Sequence, residues 1–204
     1  MKVVVINGSY HSNGVISFLV DKFITALKNR KKDVEIKEYN LIDIPIEFCK
    51  ACGCCVRNDG KKIGECPQAD FVTVRKILQD MLDSDILVYA TPIYEKAMTA
   101  LLKRFMERSM AVLYMGKAGP VGRNETNKNK TGIILVSCGS PFPVYITQGV
   151  IKYPIDILTM FCKGFGCKKV EKIIVPGAAS KEELNDKYLK RIYHLSVKLG
   201  NNNF

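Results

Sequence analysis

Apolar positions along this chain follow two rhythms in turn. Short β-branched runs at Val3–Ile6, Val34–Glu38, Ile86–Ala90, Ile133–Ser137 and Val170–Val175 read as five strands. Between them, apolar residues recur at helical intervals: Ile16, Leu19, Val20, Phe23 and Leu27, then Phe71, Val74, Leu78, Met81 and Leu82. Met98, Leu101, Leu102, Phe105 and Met106 form a third stripe, and Leu184, Tyr188, Ile192 and Leu195 a last one. Residues 145–163 are less regular, and Pro154 marks a helix start or a kink there. Strands alternating with helices predict an α/β fold: a doubly wound, five-stranded parallel sheet with helices on both faces.

Two segments fall outside that rhythm. Residues 45–69 carry clustered cysteines, and residues 116–131 are polar and glycine-containing. Connections this long are usually functional or mobile. With 204 residues and 47% hydrophobic content, residues 1–204 are expected to form one domain bearing the 45–69 segment as a Cys-rich loop. Asp70, just before the second helical stripe, is expected to cap that helix with its side chain.

Charge and the amino-terminal run narrow the setting. The net charge is +11, but the lysines are scattered apart from a knot at Lys28, Arg30, Lys31 and Lys32, which fits a helix C-terminus better than a nucleic-acid face. Attraction of anionic cofactors fits the same charge. Met1–Gly8 is too short for the apolar region of a signal peptide or for a membrane span, so the expectation is a cytoplasmic protein with no membrane partner. In a reducing compartment clustered cysteines point to metal or redox chemistry rather than to disulfides.

The candidate chemistry lies at strand ends. The first strand runs into Gly8-Ser9-Tyr10-His11-Ser12-Asn13-Gly14 and then directly into a helix, whose unpaired N–H groups and dipole can hold a phosphate. Ser9, Ser12 and Ser17 add hydroxyls and His11 a ring nitrogen. The spacing matches neither a Walker loop nor G-x-G-x-x-G, which disfavours an ATPase or a dinucleotide-binding unit; an ordinary N-cap turn is the alternative. Thr91-Pro92-Ile93-Tyr94 and Ser137-Cys138-Gly139-Ser140 end the third and fourth strands. Carboxyl-end loops of such a sheet converge on one crevice, and the Thr-Pro-Ile-Tyr loop suits a planar ring. Cys138, Cys162 and Cys167 read as small core residues. His194 reads as a surface or packing residue.

Five of the eight cysteines fall within eighteen residues, at 49, 52, 54, 55 and 66. Thiolates at two-residue gaps can converge on one soft metal.

Gly8-Ser9 with Asn13-Gly14, Thr91-Pro92-Ile93-Tyr94 ahead of Leu102-Lys103-Arg104-Phe105, and Ser137-Cys138-Gly139 together resemble the NAD(P)H-dependent FMN reductases. With Cys49, Cys52, Cys55 and Cys66 the chain more narrowly resembles the iron–sulfur flavoproteins in that group. The likeness implies a flavodoxin-like fold, bound FMN, a homodimer or homotetramer, and electron transfer. It implies that Ser9, His11, Asn13, Gly14 and Ser17 surround the FMN phosphate, and that Thr91, Pro92, Ile93, Tyr94, Ser137 and Gly139 surround the isoalloxazine ring. It also implies that Cys49, Cys52, Cys55 and Cys66 hold a [4Fe–4S] cluster, leaving Cys54 spare.

Two departures accompany the likeness. The family loop continues Gly-Asn-Thr where this chain has Gly14-Val15-Ile16, and ten residues separate Cys55 from Cys66 where the family has fewer. Gly60 and Gly64 would let that gap fold back. A structural Zn site and simply reduced cysteines are the other readings of the cluster. The resulting expectation is an FMN-dependent oxidoreductase fed by NAD(P)H or by a ferredoxin-type carrier, in which the cofactor supplies the chemistry and no acid, base or nucleophile is required. A non-catalytic flavodoxin-like carrier and a Zn-stabilised interaction domain are the alternatives.

Overall fold

A computed structural model of the chain describes residues 1–124, 127–177, 180–182 and 184–201. Strand β1 (Lys2–Asn7) leads into α1 (Val15–Arg30) and β2 (Glu35–Asn40), and α2 (Phe71–Leu82) follows the cysteine segment. Next come β3 (Ile86–Tyr94), the short β4 (Ala97–Met98) and α3 (Ala100–Arg108), then a hairpin of β5 (Leu113–Gly116) and β6 (Gly119–Gly122). The chain finishes with β7 (Asn127–Cys138), α4 (Val144–Thr147), α5 (Lys152–Gly164), β8 (Cys167–Pro176) and α6 (Asp186–Gly200).

The sheet order is β2-β1-β3-β7-β8, with every neighbouring pair parallel, and β4 folds back antiparallel onto the end of β3. This is the expected doubly wound arrangement, and the chain reverses its direction of travel between β1 and β3.

Strand pleating sorts the core into two layers, because successive side chains point to opposite faces. Val3 and Val5 of β1, Ile86 and Val88 of β3, and Ile133 and Leu135 of β7 pack with α1 and α6. Val4, Ile6, Leu87, Tyr89, Ile134 and Val136 pack with α2, α3 and α5 on the other side. Central strands covered on both faces carry no polar stripe, whereas the edge strand β2 (Glu35-Ile-Lys-Glu-Tyr-Asn) is exposed except at the half-buried Ile36 and Tyr39.

The structure extends or revises several expectations. Pro154 sits in the first turn of α5, where its missing N–H costs nothing, so it marks a start. Strands β3, β7 and β8 run well past their β-branched cores. The polar 116–131 connection holds most of the β5–β6 hairpin and the beginning of β7; its residues 125 and 126 lie outside the described residues. Gly119 at φ 122° makes the hairpin turn, a conformation closed to residues with a Cβ. Among the described residues no helix is long and apolar enough to cross a membrane.

Candidate flavin crevice and cysteine segment

The loop after β1 is organised by Asn7, which is buried at the strand end. Its side-chain amide donates to Asn40 Oδ1 at 3.0 Å and to Glu38 Oε1 and Ser17 Oγ at 3.3 Å, while its Oδ1 accepts the Ser9 N–H at 3.0 Å. The His11 carbonyl then gathers three donors: Ser9 Oγ at 3.0 Å, Ser17 Oγ at 2.9 Å and Gly14 N at 3.2 Å. This closes the turn onto α1 using side chains that the sequence had offered to a ligand. Gly14 occupies the N-cap of α1 and no side chain caps the helix, so the first-turn N–H groups face outward without an acceptor from the loop.

The second loop is braced by a threonine pair. Thr91 Oγ1 donates to Pro92 O at 3.0 Å and accepts the Thr99 N–H at 3.4 Å. Thr99 Oγ1 donates to Gly8 O at 2.7 Å while capping α3 through the Leu102 N–H at 3.2 Å. Gly8 permits this closeness, since a Cβ there would lie 2.8 Å from Leu102 Cβ. Tyr94 turns into β4 through Glu95 (φ 47°) and Lys96 (φ 61°), two non-glycine residues in the left-handed region. The Tyr94 ring stacks on Tyr10, with centroids 6.4 Å apart and planes 19° from parallel.

With the third loop, these segments enclose a crevice of about 340 Å³ lined by Ser9, His11, Gly14, Val15, Ile16, Pro92, Ile93, Tyr94, Ser137, Cys138 and Gly139. Eight of the eleven residues expected around an FMN are in this lining: Ser9, His11, Gly14, Pro92, Ile93, Tyr94, Ser137 and Gly139. Asn13, Ser17 and Thr91 lie outside the lining. Sequence reasoning missed Val15, Ile16 and Cys138 as lining residues; their position at the loop ends was the available signal. Burial raises the Cys138 thiol above its usual value. The crevice fits an FMN on two counts: an uncapped helix N-terminus for a phosphate, and flat apolar walls at Pro92, Ile93 and Tyr94 for a ring.

The cysteine segment is tied to the C-terminal end of α3, at Arg108. Cys49 and Cys52 are exposed, while Cys54, Cys55 and Cys66 are half-buried. Asp70 stands at the N-cap of α2 yet makes no cap hydrogen bond. Its carboxylate instead takes both arms of the Arg108 guanidinium, at 2.8 and 2.9 Å, and the Glu47 N–H at 2.9 Å. A bidentate charged fork outcompetes a single main-chain donor, which corrects the capping role expected for Asp70. Arg108 also donates to the Glu47 carbonyl at 2.9 Å and to Cys66 Sγ at 3.8 Å, tying the entry of the segment to its exit. Burial opposes the Asp70 charge, but Arg108 and the Glu47 N–H outweigh it and hold the carboxyl below its ordinary value.

Arg123, next to β6, secures the middle of the segment. It donates to Cys55 O at 3.0 Å, Lys61 O at 3.2 Å and Leu113 O at 2.9 Å, contacts Arg57 O, and pairs with Asp59 at 2.7 Å. Gly64 donates its N–H to Ala111 O at 2.7 Å and lies so close to Cys55 that a Cβ would sit 1.9 Å from the Cys55 carbonyl oxygen. The ten-residue gap therefore folds back, with Gly60 at φ 73° in its turn.

The thiols share one neighbourhood without converging. The Cys55 thiol is pushed up to about 11, first by burial and then by the charges of Cys66, Cys49 and Cys52. Cys54 Sγ donates to the Cys52 carbonyl at 3.9 Å, and the Cys54 main-chain N–H heads the contacts that lower the Cys52 thiol. Among the described residues, no three His, Cys, Asp or Glu side chains come close enough together to hold a metal ion.

An iron-sulfur flavoprotein of Archaeoglobus fulgidus is 28% identical over 205 aligned residues, covering 98% of this chain and 79% of its own length. An FMN-dependent NADH:quinone oxidoreductase of Clostridium botulinum is 21% identical over 183, covering 84% and 83%. The solved structure of an FMN-dependent NADH-azoreductase from Bacillus anthracis, in complex with FMN, superposes with a TM-score of 0.74 at 17% identity, covering 98% of this chain and 99% of that one, which bears on the fold. The family model for NADPH-dependent FMN reductases matches residues 1–143. The chain belongs to the NADPH-dependent FMN reductase family and is an oxidoreductase that works with FMN.

Proposed function

We propose that the crevice at the carboxyl ends of β1, β3 and β7 holds FMN, and that the protein passes electrons from a nicotinamide nucleotide through it to an acceptor. The observation that carries this reading is the uncapped N-terminus of α1 facing a crevice with flat apolar walls. The N–H groups after Gly14 take the phosphate, assisted by Ser9 and His11. Ser17 acts indirectly, by holding the His11 carbonyl so that the turn keeps its shape. Thr91 likewise positions the Pro92-Ile93-Tyr94 wall against the ring, and Ser137 and Gly139 close the far side. When bound, FMN supplies the exchange of a hydride or of single electrons. The residues of the crevice bind, orient and exclude water, and none of them is a nucleophile for the reaction.

The finer part of the proposal is a [4Fe–4S] cluster on Cys49, Cys52, Cys55 and Cys66. The C-x2-C-x2-C spacing and the Cys66-Pro67 ending support it, as does the name of the Archaeoglobus relative. Cys55 and Cys66 are held in place by Arg123 and Arg108, whereas Cys49 and Cys52 are exposed and would have to close on them. No step of the reaction is routed through the cluster.

One preparation tests both parts: protein purified without oxygen, with its absorption spectrum and its iron and acid-labile sulfide measured. Flavin with iron and sulfide is the expected result. Flavin without iron would remove the cluster, and absence of flavin after incubation with FMN would remove the crevice assignment. Reduction of bound flavin by NADH or NADPH in anaerobic stopped flow tests the donor; reduction by a ferredoxin alone would replace it.

A further inference from the structure

Strands β1 and β2 end side by side on asparagines. Asn7 pairs in register with Asn40, and Val5 with Glu38, so Glu38 and Asn40 stand two residues apart on one face of the edge strand, the face that α1 covers. Polar residues on an edge strand ordinarily serve solubility. Here both accept from one buried amide: Asn7, 3% exposed, donates to Asn40 Oδ1 at 3.0 Å and to Glu38 Oε1 at 3.3 Å. A carboxylate can only accept, so this contact decides how the Asn7 amide is turned, with its nitrogen toward β2 and its oxygen toward the Ser9 N–H at 3.0 Å.

That orientation reaches the turn after β1 by two routes. The Asn7 oxygen holds the Ser9 main chain, and Ser9 Oγ donates to the His11 carbonyl at 3.0 Å. The Asn7 nitrogen donates to Ser17 Oγ at 3.3 Å, and Ser17 Oγ donates to the same carbonyl at 2.9 Å. Both routes stop at the His11 carbonyl, which also takes the N–H of Gly14 at the N-cap of α1. The turn is tight: a Cβ on Gly14 would lie 3.3 Å from His11 Cβ and 3.4 Å from His11 O. At this end of the crevice Val15 and Ile16 bring no polar side-chain atom, so a phosphate there depends on where the turn points its main-chain N–H groups.

We propose that Glu38 and Asn40 are positioning residues for the phosphate of FMN, acting through Asn7 on the turn of residues 9–14 although neither lines the crevice. The inference rests on the reading that this turn receives the phosphate. It gives the polar face of β2 a part in flavin selectivity: the preference for FMN over riboflavin, the same ring without the phosphate, depends on the acceptors that hold the Asn7 amide. Without them the amide is free to turn its oxygen away from Ser9, and the N–H groups of the turn lose their common direction. The wall of Pro92, Ile93 and Tyr94 is braced separately, through Thr91 and Thr99, so binding of the ring is insulated from the change.

The test is to measure dissociation constants for FMN and for riboflavin by quenching of flavin fluorescence on the intact protein, riboflavin serving as the control for a general loss of structure. Asn40→Ala should weaken FMN by about fivefold, roughly the worth of one hydrogen bond, and riboflavin by less than about twofold. Glu38→Ala should bind FMN about threefold more weakly than Glu38→Gln, which carries the same charge and keeps an acceptor. Asn7→Ala and Asn40→Ala close a double-mutant cycle in which the second substitution adds little to the first. Equal weakening of FMN and riboflavin, an Asn40→Ala effect that persists undiminished in Asn7→Ala protein, or unchanged FMN affinity in Asn40→Ala would each overturn the inference and leave the crevice reading standing. A parent protein that binds neither flavin would overturn the crevice reading itself and this inference with it.

Discussion

Arg108 and Asp70 form a two-armed ion pair at 2.8 and 2.9 Å that joins the end of α3 to the start of α2, with the Arg108 side chain only 1% exposed. Removing one partner of a pair this enclosed strands the other charge. Asp70→Ala is therefore expected to cost about 3 kcal/mol in a urea titration. Glu171→Ala, which breaks the exposed pair with Lys198, should cost under about 1 kcal/mol by the same measurement. Equal costs would mean that the buried pair does not hold the cysteine segment.

The same carboxylate sets an acid limit. Its folded value lies below its unfolded one, so its contribution is fully present above the unfolded value of about 4 and is lost as pH falls through the folded value. Stability measured from pH 6 down to about pH 2 should fall less steeply in Asp70→Asn than in the parent. Parallel curves would contradict the assignment.

Gly64→Ala places a methyl group on the Cys55 carbonyl. The fold-back of residues 56–65 should loosen, at a cost of about 1–3 kcal/mol, and Cys55 and Cys66 should react faster with a thiol reagent. Gly60→Ala, where a Cβ would meet nothing within 4 Å, should cost less, with only the φ of 73° against it.

The crevice makes its own prediction. Val15 and Ile16 occupy the start of α1, where polar side chains could reach a phosphate. Val15→Asn should tighten FMN by up to roughly tenfold, the equivalent of one added hydrogen bond, measured by quenching of flavin fluorescence. Unchanged affinity would argue that the phosphate lies elsewhere.

The Tyr94–Ala97 turn holds Glu95 and Lys96 in a left-handed conformation that Asn-Gly adopts readily. Replacing the two by Asn-Gly should raise stability by about 1 kcal/mol in a thermal or urea titration. No gain would show that the surroundings already compensate for the turn.

Much of this was legible from local pattern. Val3–Ile6 and Ile86–Ala90 announced central strands because both faces of each are covered, and Ile16 through Leu27 announced one face of α1. The crevice followed from topology, since any loop ending β1, β3 or β7 must meet the others. What escaped notice depended on distant partners. Nothing near Asp70 in the chain signals Arg108, thirty-eight positions later, so a capping role was the natural reading. Ser17 offered a hydroxyl, but the His11 carbonyl had claimed it. The β5–β6 hairpin was missed because Gly119-Pro-Val-Gly122 carries no alternation to read.

Arg123 has a consequence for how this chain can vary. A single guanidinium gathers carbonyls from Cys55, Arg57, Lys61 and Leu113, so the cysteine segment is anchored through groups that every residue possesses. Side chains at Arg57 through Glu65 can be exchanged with little effect on the anchor, Asp59, Gly64 and the buried Ile63 excepted. The loop thereby gains licence to diversify its surface while its two half-buried ends keep their place.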